Sequence, residues 1–114
     1  MFDEHQTKFL ADIHDSKTLI LVEGKKDRIA LEKAGLSGII EISGKRPEKV
    51  VDIIKEKKKT VIVLTDYDKE GIKQYKRLKD LLIADEIKVD DTVRRDFKRT
   101  FLVNKIEEFN SYFK

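Results

Sequence analysis

Two strand-like runs, Thr18-Leu19-Ile20-Leu21-Val22 and the unbroken aliphatic Val61-Ile62-Val63-Leu64, constrain this chain more than any other feature. A strand that is apolar on both sides is buried on both faces, which happens in parallel sheets covered by helices. Each run passes directly into acids and a glycine. Glu23-Gly24 follows the first, and Thr65-Asp66-Tyr67-Asp68-Lys69-Glu70-Gly71 follows the second. In an open parallel sheet, the carboxyl ends of the strands form the edge where ligands bind. If the two strands are neighbours, Glu23 and the aspartates meet on one rim. Like charges crowded there without a base call for a metal ion.

The rest of the chain fills in around these runs. Phe2, Phe9, Leu10 and Ile13 keep helical spacing, which predicts a leading helix over 3–15. A helix over 25–34 stops at Gly35, and Gly38 to Ile42 reads as a second strand. Pro47 suits the first position of the next helix, whose buried face is Val50, Val51, Ile53 and Ile54. Ile72, Tyr75, Leu78 and Leu82 give the stripe of a helix over 69–83. Glu86 to Asp90, with only Ile87 and Val89 to bury, reads as a fourth strand at an edge. The remainder, rich in phenylalanine, reads as one or two closing helices. Strands alternating with helices predict an α/β fold of Rossmann-like type: a parallel four-stranded sheet with helices on both faces and extra N- and C-terminal helices. Residues 1–114 make a single domain, with a core over about 17–90 and helical extensions over 1–16 and 91–114.

Composition narrows the function classes. The chain is 39% hydrophobic and 41% charged, a globular balance with a heavily ionic surface. Without cysteine it has no disulfide, thiolate zinc site or thiol nucleophile. No apolar run approaches the roughly 20 residues of a membrane span, and Met1 to His5 lacks the start of a signal peptide. The expectation is a cytoplasmic protein with no membrane association. A net charge of +3 says little by itself, but the bases are clustered. Arg94, Arg95, Lys98 and Arg99 crowd one segment, and Lys45 and Arg46 follow the second strand on the acidic edge. Lys25 follows Glu23-Gly24. These bases suit a polyanionic, nucleic-acid partner, because arginine forks pair with phosphate in two-pronged fashion. Pairing with neighbouring acids such as Asp96 is the plainer alternative. Lys55 to Lys59 are read as cations closing a helix.

The acidic motifs resemble those of the Toprim domain, the module shared by topoisomerases, bacterial-type primases and some nucleases. The family pattern is a glutamate ending the first strand and Asp-x-Asp ending the third. It is matched here by Glu23 in Val22-Glu23-Gly24-Lys25 and by Asp66 and Asp68 in the acidic heptapeptide. Glu70 matches a further acid found in type IA topoisomerases. The resemblance covers about residues 17 to 90. It implies Mg²⁺ (or Mn²⁺) held by Asp66, Asp68, Glu70 and Glu23, and catalytic roles for Glu23, Asp66 and Asp68 at phosphodiester bonds. The chain has no room for a topoisomerase's gate and lacks the cysteine zinc module of a primase. It therefore resembles the small stand-alone Toprim proteins, akin to the catalytic half of the ribonuclease that matures small ribosomal RNA. The substrate does not follow from the family; RNA is favoured over DNA as the nucleic-acid partner, and a protein partner is left open.

Two alternatives remain in view. A binding module could keep the fold and the metal without chemistry. A phosphoryl-receiver domain also ends its third strand in an aspartate, but needs a fifth strand bearing a lysine. An EF-hand loop fails, because Arg77 stands at its twelfth position and a strand precedes it. Phe97 and Phe101, interleaved with the arginines, continue the stripe of the closing helix and are read as core. Tyr67 has no neighbour to activate it as a nucleophile.

Overall fold

The computed structural model describes residues 1–57 and 59–113. Three parallel strands, β1 (Leu19–Val22), β2 (Ile39–Glu41) and β3 (Val61–Val63), lie in the order β2-β1-β3. The register pairs Ile20 with Ile39 and Ile62, and Leu21 with Ile40 and Val63. The central position of β1 explains its continuous apolar run, since all four residues are buried. Strand periodicity then divides the core in two. Ile20, Val22, Ile62 and Leu64 point to one side, where they meet α1 (Glu4–Ser16), α2 (Lys25–Lys33), α5 (Asp91–Phe101) and a C-terminal 3-10 helix (Ile106–Phe113). Leu19, Leu21, Val61 and Val63 point to the other, against α3 (Pro47–Lys57) and α4 (Lys69–Ala84).

The helix ends follow their local chemistry. Asp3 caps α1 in a reciprocal box with Gln6, and Pro47 opens α3. Phe97 and Phe101 are buried with ring centroids 4.9 Å apart, inside an aromatic cluster with Phe2, Phe9 and Phe109. They are core residues, as their spacing predicts.

The expected fourth strand is not formed. Glu86 takes a left-handed conformation (φ 62°), and only Val89 reaches β3, as a single parallel bridge to Val61. Val61 N–H donates to Lys88 O and Asp90 N–H to Val61 O, and α5 begins immediately afterwards under the Asp90 cap. With only Ile87 and Val89 to bury, the segment cannot offset the cost of ordering a full strand. The carbonyls further along β3 still need donors. They find them in Arg94, whose Nη1 donates to Val63 O (3.2 Å) and Thr65 O (2.7 Å). One side chain thus takes over the rest of the missing ladder.

Candidate functional site

Glu23 leaves the carboxyl end of β1, and Asp66 lies just past the end of β3. Because the two strands are adjacent, the acids converge: Glu23 Oε2 accepts the Asp66 backbone N–H at 3.2 Å. They open onto a cavity of about 790 Å³ whose acidic wall is Glu23, Asp27, Asp66, Glu70 and Glu107. Its rim carries Lys25, Lys26, Lys45, Arg77 and Lys105.

The turn from β3 into α4 is held from several sides. Asp66 Oδ1 accepts from Ile106 N–H (2.8 Å), which brings the C-terminal 3-10 helix to the site. Asp68 caps α4, its Oδ1 accepting from Gly71 N–H (2.8 Å). The buried Thr65 hydroxyl donates to Gly71 O (2.7 Å). Gly71 itself lies so close to Asp66 that an added Cβ would sit 2.0 Å from the Asp66 carbonyl oxygen. The small residue is required by this backbone contact. Gly24, by contrast, faces open space.

Burial pushes the Glu23 carboxyl up from its ordinary 4.5 to about 7, helped by the side-chain hydrogen bond and negative charge of Asp66 and by the charge of Asp27. Asp27 is also raised, chiefly by burial, then by the charges of Asp66 and Glu107. A carboxyl raised in the folded state is protonated there when the unfolded chain has already lost its proton. Its stabilising contribution is complete below about pH 4.5 and is lost as pH rises through about 7. The metal-free protein should therefore melt at a lower temperature at pH 8 than at pH 5. Thermal melts across that range check this, and Glu23→Gln should flatten the slope.

The other expected site residues separate. Lys25 and Lys45 line the cavity, while Arg46 is exposed and outside its wall. Asp66 and Glu70 face the cavity, but Asp68 is exposed and is not among its lining residues. Arg95 and Arg99 are exposed, and with Lys98, Leu102 and Asn104 they line a separate groove of about 500 Å³. Arg95 also pairs with Asp96 at 3.2 Å. Arg94 is a correction. It is only 6% exposed, and its guanidinium is bound to backbone carbonyls, so it offers no surface for nucleic acid. Tyr67 is half-buried, and desolvation pushes its phenol up to about 12, while its hydroxyl donates to Arg94 O (2.6 Å). It is no nucleophile.

Asp27 escapes a reading by strand ends, because it sits one turn into α2. It is 8% exposed and its Oδ2 accepts from Gly24 N–H (3.1 Å). Its signal was an acid at the third position of a helix capped by glycine, four residues after Glu23. Glu107 and Lys105 arrive from a distant segment and carried no signal.

Among the described residues no three acidic or histidine side chains form a preassembled metal-binding group. The donor set nonetheless suits Mg²⁺, which takes one or two carboxylates and fills its octahedron with water and phosphate oxygens. Glu23 and Asp66, half-buried at the strand ends, and Asp27, buried in α2, crowd mutually repelling negative charge at this edge.

A parallel sheet covered on both faces, with carboxylates meeting where its central strand ends, defines an α/β domain with an acidic edge. The Toprim domain profile matches residues 18–102, and the chain belongs to that family. Toprim domains generally bind Mg²⁺. A UPF0292 protein of Pyrococcus furiosus is 33% identical over 108 residues, covering 92% of this chain and 80% of its own. The DNA primase DnaG of Sulfurisphaera tokodaii is 36% identical over 86 residues, 73% of this chain but 20% of the primase. A solved structure from Aquifex aeolicus superposes with a TM-score of 0.82 at 32% identity, covering 93% of this chain and 99% of the other. No helix among the described residues is long and apolar enough to cross a membrane.

Proposed function

We propose that this chain holds a divalent cation, Mg²⁺ or Mn²⁺, at its acidic edge and cleaves the phosphodiester backbone of nucleic acid, as a small nuclease or RNA-processing enzyme. The meeting of Glu23 with Asp66 across two strand ends carries this reading. The kinship with a DNA primase's Toprim region supports the nucleic-acid partner. Asp66, Asp68 and Glu70 would hold the cation, which when bound polarises a phosphoryl oxygen and offsets developing negative charge. Glu23, carrying or losing a proton near neutral pH, serves the attacking or leaving oxygen. Lys25 and Lys45 on the cavity rim, with Arg46 beyond it, orient the phosphates, and Arg95 and Arg99 extend the track.

Structured and single-stranded RNA and DNA, incubated with and without Mg²⁺, test the reading. Metal-dependent cleavage is expected, and it should disappear in Asp66→Asn and Asp68→Asn; cleavage that survives both changes overturns the assignment. RNA is expected to be the better substrate.

The basic groove of Arg95, Lys98 and Arg99, separate from the acidic cavity, supports a second reading, a binding module that keeps the fold and the metal without chemistry. It predicts salt-sensitive binding and no cleavage with any metal. In either version, Arg95→Ala with Arg99→Ala should reduce the slope of log affinity against log salt by about 0.7–0.9 per lost phosphate contact, measured by fluorescence anisotropy. The receiver alternative ends with family membership, since no fifth strand exists among the described residues to bring it a lysine.

A further inference from the structure

Arg94 is a buried cation, and no carboxylate of the described residues lies close enough to form an ion pair with it. Its guanidinium is packed between two aromatic faces, 4.5 Å from the ring centroids of both Tyr67 and Tyr75. Within that slot its donors are aimed at one stretch of backbone. Nη1 reaches Val63 O (3.2 Å) and Thr65 O (2.7 Å), and Nη2 reaches Asp66 O (3.1 Å). The return contact closes a loop, because the Tyr67 hydroxyl donates to the Arg94 carbonyl at 2.6 Å. Burying an unpaired charge is a costly way to hold a fold, and apolar residues of similar volume are often as stable or better. What a guanidinium provides, and an apolar side chain does not, is a rigid planar fork of donors.

We propose that Arg94 is a positioning residue for the acidic edge: it replaces the absent fourth strand and clamps the backbone of residues 63 to 66, so that Asp66 is presented at a fixed place beside Glu23. This rests on the metal reading of the site. The clamp acts on the main-chain carbonyls of the turn, while the Asp66 carboxylate is held separately by Ile106 N–H. Asp66 is thereby pinned at its main chain by α5 and at its side chain by the C-terminal 3-10 helix. Both elements lie beyond the third strand, yet they set the geometry of a residue in the turn after it.

Arg94→Lys keeps the charge but loses the planar fork, and Tyr67→Phe removes only the hydroxyl that returns the contact. Mn²⁺ affinity of each folded protein is measured by calorimetry and electron spin resonance, well below its melting temperature, with folding checked by circular dichroism. Hydrogen exchange of the 65–71 amides is followed without metal. Groups supporting a metal site typically contribute 10–100-fold in affinity. Arg94→Lys is expected to weaken Mn²⁺ binding by about that factor and to speed exchange in the turn, with a smaller change in the same direction for Tyr67→Phe. A purely structural role would lower the melting temperature while leaving the Mn²⁺ affinity of the folded protein unchanged. Unchanged affinity in both variants, with wild type binding Mn²⁺, overturns the positioning role alone. Absence of Mn²⁺ binding in wild type overturns the metal reading and this proposal with it.

Discussion

Gly71→Ala is expected to damage both stability and the site. The new methyl group would lie 2.0 Å from the Asp66 carbonyl oxygen and 2.5 Å from its carbon, far inside contact distance. Neither partner is a flexible side-chain end, so backbone must move. Gly71 is held by the Asp68 carboxylate at its N–H and by the Thr65 hydroxyl at its carbonyl. The Asp66 carbonyl is held by Arg94. Whichever side yields, at least one of these bonds is lost. Overpacking of this kind costs about 1–3 kcal/mol, occasionally more, and the upper end is expected here because both contacting groups are fixed. Denaturant melts measure the loss. The same shift displaces Asp66, so the stabilisation expected from Mg²⁺ in wild type should vanish. At about 100 times its dissociation constant, a ligand bound only by the native state adds roughly 2.7 kcal/mol. A Gly71→Ala protein with wild-type stability and an intact Mg²⁺ response would contradict this account of the turn.

Glu23→Gln is expected to separate stability from activity. Glutamine keeps the shape and an acceptor for the Asp66 N–H but removes a carboxyl that is disfavoured as an anion at this place. At pH 8 the metal-free variant should melt at or above the wild-type temperature, with the melting temperature varying less between pH 5 and pH 8. Cleavage should fall by about 10²–10⁴-fold, the usual contribution of a positioned proton-transfer group. Single-turnover cleavage at saturating Mg²⁺ reads the second effect and thermal melts the first. If Glu23 were only a surface acid, both measurements would stay at wild-type values.

Much of the architecture was legible because it depends on short-range pattern. The runs 19–22 and 61–64 announced buried parallel strands, and caps and stripes placed the helices to within a residue or two. Features that depend on remote partners were not legible. Glu86 to Asp90 has the alternation of an edge strand, but strand formation needs a neighbour to bond along its length, and α5 starts too soon. Arg94 looks like its neighbours Arg95 and Arg99 in a basic segment. One turn of helix separates surface from core, and only docking of α5 on β3 shows which arginine turns inward. Asp68 shares a motif with Asp66, yet its position at the head of α4 engages it as a cap.

The order of apolar and charged residues along the chain was enough to determine a helix-covered parallel sheet and to put acids after two of its strands. Periodicity and capping act over a few residues, so they survive in one dimension. Tertiary structure alone decided that among the described residues the sheet has three strands, that a buried guanidinium stands where a fourth was expected, and that Asp27 and the segment after Val103 complete the wall around Glu23 and Asp66. Those outcomes depend on contacts between residues about 30 to 80 positions apart. Their free energy comes from burial and from hydrogen bonds that exist only once the helices have packed.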